Sequence, residues 1–384
     1  MITLEKSRYA DIIKTVKVLI LAVPIGAGHL KAGGAIKQAL AIADPGGQVR
    51  LENCFKWVFP PYGYCYRHIF EFGQKHSHRL LKLLYGGVGV KRGDDRLLYL
   101  FHRKSAYRFR KLLIEYRPDY ILAVHFSPAY YSAVYKREFG YRLGVVVTDY
   151  FVHPHWVNRE VDHYFIPHEN LLPQIVSYGA APEKALAFGI PIATEIAGID
   201  RGSGRKRFNI AVNRTTAVVM GSRVFGGEWV ALVEQLADFD IDLFVLCGDN
   251  REAQRRINGL RGKARLTTLG MVDRVQELIA AGDILITKAG GITTTEASHI
   301  GPCLLFANSI PGLEDRNEDF FIGLGAALRI DAKNGHRIFA DLLAHPARIA
   351  QMRRNLLKIG RQNSALNIAR RILNKGDRLL LNNP

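Results

Sequence analysis

The chain has 384 residues, 53 of them Lys or Arg and 35 Asp or Glu, for a formal net charge of +18. A hydrophobic fraction of 48% and a charged fraction of 23% are those of a folded globular protein, and the length suits two domains. Disordered, collagen-like and coiled-coil architectures are excluded, and no run of about 18 apolar residues marks a membrane span.

The first apolar run, Val18 to Ala27 behind Lys14 and Lys17, has some features of a signal-peptide core. Glu5 and Asp11 precede it, and a glycine turn with helical periodicity follows. It therefore reads as a buried strand, Val16–Val23. The turn Gly26-Ala27-Gly28-His29 then leads into a helix expected over Ala32–Ala43. Glycine allows close backbone approach, and a helix N-terminus favours negative charge, as in a dinucleotide fingerprint. His29 inside the turn, with no acidic residue closing a second strand, argues against NAD. A neutral imidazole here can take a proton from an incoming hydroxyl, so His29 is a candidate base; the plainer alternative is a helix cap.

From Arg67 to Arg117 stand 13 Lys/Arg against 4 Asp/Glu, interleaved with aromatic residues such as Phe70, Tyr85, Tyr99 and Phe109. Such a mixture suits nucleic acid through phosphate contact and stacking, or an anionic membrane through charge and interfacial rings. It also suits amphipathic helices with a solvated basic face, and Leu97–Leu113 has that helical pattern. The glycine loop carrying Lys91 and Arg92 tilts the reading toward a membrane interface, and no nucleic-acid motif is present.

Further strands are expected at Tyr120–Val124, Arg142–Val147 and His163–Ile166. His125 and the Thr148-Asp149-Tyr150 segment follow two of them, at carboxyl ends that point into one cleft. His153 and His155 lack a third ligand, so no metal is expected. Thr194 to Lys206, containing Gly198, Gly202 and Gly204, reads as weakly structured. Thereafter the alternation restarts: strands at Thr215–Met220, Leu243–Cys247, Arg265–Leu269, Ile284–Thr287 and Cys303–Ala307, with a helix at Glu228–Leu236. Short apolar runs alternating with helices indicate parallel sheets covered on both faces. The fold class is α/β, with two doubly wound Rossmann-like domains and a cleft between them. Cys54, Cys65, Cys247 and Cys303 form no CxxC pair, which fits a reducing cytoplasm.

In the second half, Lys288-Ala289-Gly290-Gly291 leaves a strand and opens a hydroxyl-rich helix, a diphosphate cradle by composition. Glu296, one turn on, is placed to hold paired hydroxyls such as a ribose. Gly221-Ser222 and Ile310–Asn317 follow two further strands.

In order, GAGHLKAGGAI, TDYFVHPHW, VDHYFIPHEN, FGIPI, VVMGS, LCGDN, GMVDRVQELIAAGDILITKAGGITTTEA and PGLEDRN resemble the monogalactosyldiacylglycerol synthase family and its processive diacylglycerol glucosyltransferase relatives. The resemblance spans roughly residues 16 to 330 and implies a glycosyltransferase-B architecture. It implies an acceptor and membrane-facing domain over 1–195, with the basic-aromatic insert at about 55–117. A linker at 196–206, a UDP-sugar domain over 207–345 and C-terminal helices over 346–384 packing back on the first domain complete the arrangement. Ala365, Ile368, Ala369, Ile372 and Leu373 offer an apolar face for that return.

Carried over by position, the donor would meet Ser222, Met271, Val272, Gly290, Gly291, Thr293, Glu296, Glu314 and Asn317. Gly290, Gly291 and Ser222 would hold the diphosphate, Glu296 the ribose, and Met271 and Val272 the uracil edge. Glu314 and Asn317 would lie near the sugar, although Leu313 stands where the family has Gln. His29 matches the acceptor-side histidine, with Asp149 as a second candidate base or its orienting partner. Gly28, His125, Lys91 and Arg92 fall on the acceptor and membrane side. The implied reaction transfers a hexose from UDP-glucose or UDP-galactose, with inversion, to a membrane lipid hydroxyl such as diacylglycerol. No bound cofactor, metal or nucleic acid is implied, and the expected location is cytoplasmic, peripheral on the inner face of the cell membrane. The alternatives are N-acetylglucosamine transfer to another lipid-linked acceptor, a UDP-sugar 2-epimerase and a basic nucleic-acid-binding protein.

Overall fold

The computed structural model describes residues 15–24, 28–58, 68, 106–221, 228–310, 312 and 314–374. Twelve short strands among these form two separate sheets of six, all paired in parallel. The first contains β1 (Lys17–Ala22), β2 (Gln48–Asn53), β3 (Tyr120–Ala123), β4 (Arg142–Val146), β5 (His163–Phe165) and β6 (Ala185–Leu186). The second contains β7 (Thr216–Met220), β8 (Asp242–Leu246), β9 (Arg265–Leu269), β10 (Ile284–Thr287), β11 (Cys303–Phe306) and β12 (Ala327–Arg329).

The strand orders are β2-β1-β3-β4-β5-β6 and β12-β11-β10-β7-β8-β9. Each order reverses once, between β1 and β3 and between β7 and β10. At such a reversal the connecting helices leave to opposite faces, which opens a crevice at the strands' carboxyl ends. The central strands β3, β8, β10 and β11 are buried at every position, as expected of parallel strands covered on both faces.

Three strands escape the sequence reading. β2 (QVRLEN) is an edge with only two apolar residues, while β6 and β12 are edges of two and three residues. The first helix begins at Gly28, four residues before the expected start, so that His29 lies inside its first turn. The helix expected from Leu97 is described only from Tyr107, where it runs to Tyr116; the basic-aromatic insert falls largely outside the described residues.

The stretch read as weakly structured is ordered instead. A 3₁₀ turn at Thr194–Gly198 is followed by the helix Arg201–Arg207, whose Asp200 N-cap accepts from the Ser203 amide at 2.6 Å. Gly204 serves close packing there, because a Cβ would stand 2.4 Å from the Glu277 carbonyl oxygen. Buried Arg205 donates to the Ala281 and Val212 carbonyls and to Asp283, tying this helix to the second sheet.

The C-terminal helix Ser364–Leu373 packs against the Gly28–Ala43 helix with Ala365, Ile368, Ala369 and Ile372 buried. Ser364 Oγ donates to the Ile190 carbonyl at 2.9 Å, and Arg361 pairs with Glu169. Cys54, Cys247 and Cys303 are buried free thiols, while Cys65 lies outside the described residues. Among the described residues, no helix is long and apolar enough to cross a membrane.

Candidate active site

The two crevices face each other and touch. A Cβ on Gly28 would lie 3.3 Å from Ile292 Cγ1, and one on Gly291 only 1.9 Å from the Thr148 carbonyl oxygen. The first turn of the Gly28 helix and that of the Gly291–Ile300 helix therefore meet across the exit of β4.

His29 Nδ1 lies 3.2 Å from Thr148 Oγ1, and the ring also hydrogen-bonds the Val124 backbone. Burial lowers its pKa to about 4, with the Val124 bond opposing, so the ring is neutral at pH 7. His125 packs edge-on against it, with ring centroids 4.9 Å apart. His125 also caps the Phe126–Phe139 helix, its Nδ1 accepting from the Ser127 amide at 3.1 Å. Burial, then the nearby His29 and His155, hold its pKa well below the usual histidine value. His153 plays the same capping part for the turn at Pro154–Trp156, and its ring stacks on His155 at 4.6 Å. Among the described residues, no group of three or more His, Cys, Asp or Glu is arranged to hold a metal.

Asp149 points to the opposite half. Its Oδ1 accepts from Asn317 Nδ2 at 3.3 Å. Its pKa rises to about 6: burial raises it most, Asn317 opposes, Glu314 raises it further and Lys288 lowers it. The hydrogen bond to His29 is thus made by Thr148 rather than by Asp149. Asn317 is fully buried; it accepts from the Tyr150 amide at 2.7 Å and donates to the Ala289 carbonyl at 2.8 Å. Tyr150 reaches on to Thr295, with its hydroxyl 3.0 Å from Thr295 Oγ1.

On the second half, β10 exits through Lys288 and Ala289 to Gly290, which caps the Gly291 helix without a side-chain bond. Its first-turn amides have no side-chain acceptor from the N-cap, which suits an anion. Thr293 is half-buried in that turn. Lys288 Nζ pairs with the Glu314 carboxylate, whose second oxygen accepts from the Ile310 amide at 3.0 Å. Glu296 is 4% exposed and accepts from Gln276 Nε2 at 2.8 Å. Burial raises its pKa, against the Gln276 bond and the charge of Lys31 from the other half. Met271 is 85% exposed beside Gly248, and Val272 is half-buried.

Thus His29, Gly28 and His125 gather on one side of the crevice, and Gly290, Gly291, Glu296, Glu314 and Asn317 on the other, with Asp149 at the junction. Ser222, Lys91, Arg92 and Leu313 lie outside the described residues. Sequence reasoning placed Thr148 and Lys288 in cleft segments without giving either an individual role, and it gave none to Gln276 and Lys31. Lys288 had a readable signal: it is a cation one residue past a strand that feeds a glycine cradle. Gln276 and Lys31 had none, since only folding brings them to Glu296.

Residues 29–192 match the family model described as monogalactosyldiacylglycerol (MGDG) synthase. Over 377 residues the chain is 27% identical to a processive diacylglycerol beta-glucosyltransferase of Bacillus subtilis, spanning 94% of this chain and 96% of that protein. MurG of Acinetobacter baumannii superimposes with a TM-score of 0.64 at 14% identity, over 93% of this chain and 99% of that one. HepE of Anabaena, in complex with UDP-glucose, gives a TM-score of 0.55 at 13% identity, over 95% and 99%. These likenesses establish the glycosyltransferase-B fold.

Proposed function

We propose that the chain, whose residues 29–192 match the monogalactosyldiacylglycerol synthase family model, transfers a hexose from a UDP-sugar to a membrane lipid hydroxyl, diacylglycerol above all, with inversion. The observation that carries this reading is the meeting of His29, Thr148 and Gly291. It sets a neutral imidazole next to an open helix N-terminus at the junction of two crevices.

In this reading the uracil lies along Met271 and Val272, and Glu296 accepts hydrogen bonds from the ribose hydroxyls. The amides of Gly290, Gly291 and the first turn, with Thr293, Lys288 and Ser222, receive the diphosphate. Glu314 and Asn317 border the sugar. The lipid hydroxyl enters past Gly28 and His125. Donation to the Val124 carbonyl would fix one nitrogen of His29 as N–H and leave the other basic. The base, His29 or Asp149, takes the hydroxyl proton as the oxygen attacks the anomeric carbon. The bond from that carbon to the β-phosphate oxygen breaks, and UDP leaves with the electron pair.

A peripheral position on the inner face of the cell membrane belongs to the same proposal. It is supported by the Tyr107–Tyr116 helix, where Tyr107 and Ile114 are about half exposed beside exposed Arg108, Arg110 and Lys111. Lys91 and Arg92 of the insert are assigned to the same membrane contact on the basis of their charge.

The test is incubation with radiolabelled UDP-glucose, UDP-galactose or UDP-N-acetylglucosamine and diacylglycerol in anionic vesicles. Label in the lipid from UDP-glucose or UDP-galactose is the expected result and identifies the sugar. Label only from the N-acetylglucosamine donor moves the reading to that sugar. UDP binding without labelled lipid removes diacylglycerol as acceptor, and absence of UDP binding overturns the donor site.

A further inference from the structure

We propose that Asn317 is a closure clamp and positioning residue: its carboxamide joins the two halves at Tyr150 and holds the Asp149 carboxylate toward the cleft junction. This rests on the reading of Asp149 as part of the acceptor-side machinery, and adds to it a role for Asn317 other than sugar contact.

Three hydrogen bonds tie the amide to protein atoms. Asn317 is 0% exposed, near the start of the Asp315–Gly323 helix in the second half. Its Oδ1 takes the Tyr150 amide at 2.7 Å, across the gap between the sheets. Its Nδ2 donates at 2.8 Å to the Ala289 carbonyl, one residue before the glycine cradle, and at 3.3 Å to Asp149 Oδ1. A single rigid amide thus touches the exit of β4, the exit of β10 and a carboxylate. Of these, only the Ala289 bond lies within its own half. Parting of the two halves would break the bonds to Tyr150 and Asp149 together.

The consequence for Asp149 follows from its surroundings. Glu314 faces it from the segment preceding the same helix and Lys288 from the end of β10, and their charges act in opposite senses. Asn317 adds a donor that favours the ionised carboxylate. Closure therefore buries the carboxylate, which raises its pKa, and brings up the Asn317 donor, which opposes that rise and fixes the direction of the carboxylate.

Two measurements on the full-length chain test this without turnover. Amide hydrogen exchange at Tyr150 is expected to quicken at least tenfold in Asn317→Ala. The carbon-13 titration of the Asp149 carboxyl, assigned by its loss in Asp149→Asn, is expected to move to higher pH. Asn317→Asp preserves shape and, when ionised, cannot donate, so it should also move the titration upward; it serves if the alanine variant does not fold. Unchanged Tyr150 exchange in the alanine variant overturns the clamp. An unmoved Asp149 titration overturns the positioning role. Neither measurement needs a donor sugar, so failure to label any lipid would sink the proposed transfer and leave these results to decide the clamp.

Discussion

Gly291 lies so close to Thr148 that a Cβ on the glycine would stand 1.9 Å from the threonine's carbonyl oxygen. No side chain fits, and the opposing atom is backbone that cannot rotate away. Gly291→Ala must part the two halves at this point. Overpacking of a rigid contact costs roughly 1–3 kcal/mol, so kcat/KM should fall about tenfold to a hundredfold with the fold intact. Small-angle scattering should report a more open molecule; an unchanged profile with full activity would refute the contact.

The two candidate bases separate by pH. A base acts when unprotonated, so its activity is lost as pH falls through its pKa. With Asp149 at about 6 and His29 at about 4, control by Asp149 gives an acid limb near pH 6 and control by His29 one near pH 4. The expected profile of kcat/KM has its limb near 6, removed by Asp149→Asn and kept at lower amplitude by His29→Ala. A limb near 4 that vanishes with His29 would assign the base to the imidazole.

The same imidazole bears on stability. An unfolded chain takes its His29 proton near pH 6.5, the folded chain only near pH 4, so stability contributed by neutral His29 is lost as pH falls across that window. At pH 5 the loss amounts to about 2 kcal/mol relative to pH 7. Asp149, whose folded pKa is raised, acts in the opposite sense between about 4 and 6. Denaturant unfolding at the two pH values should show His29→Gln less weakened by acid than the parent chain. Equal weakening would mean the ring is not held neutral.

Glu296 carries the donor assignment. Loss of charged hydrogen bonds to a ribose is worth about 1.5–3 kcal/mol, so Glu296→Ala should weaken UDP binding by roughly tenfold to a hundredfold, read by calorimetry. Gln276→Ala, which removes only the orienting bond at 2.8 Å, should weaken it less. Vesicle binding should be the same in both variants. Undiminished UDP affinity in Glu296→Ala would remove the carboxylate from the site.

Membrane docking is tested away from the crevice. Arg110 is engaged with Glu138, which leaves Arg108 and Lys111 as the better probes on the exposed face. Each basic residue near an anionic surface contributes about 1 kcal/mol, so replacing both with Gln should weaken sedimentation with anionic vesicles about tenfold to thirtyfold. Neutral vesicles should show no difference. Equal binding by the parent and the double variant would place the docking surface elsewhere.

Much of the architecture could be read from periodicity alone. Buried parallel strands must be apolar on both faces, so β3, β4, β10 and β11 stand out as short runs between helices, and the glycine cradles mark their exits. The edge strands β2, β6 and β12 do not, because an edge needs neither length nor continuous burial. Gly202 and Gly204 look like chain flexibility in sequence. In the fold, Gly204 instead allows a helix to press on the Glu277 carbonyl.

Which chemical groups the chain offers was settled by the order of residues: a histidine after one strand, a glycine pair and a glutamate after another. What each group faces was decided by tertiary structure alone. Thr148 reaches His29 across 119 positions, Asn317 reaches Asp149 across 168, and Lys31 comes near Glu296 from the other half. Local pattern carries no record of such pairings, because they arise only when two independently patterned sheets close on one another. Burial at that junction then moves the pKa values of His29 downward and of Asp149 upward.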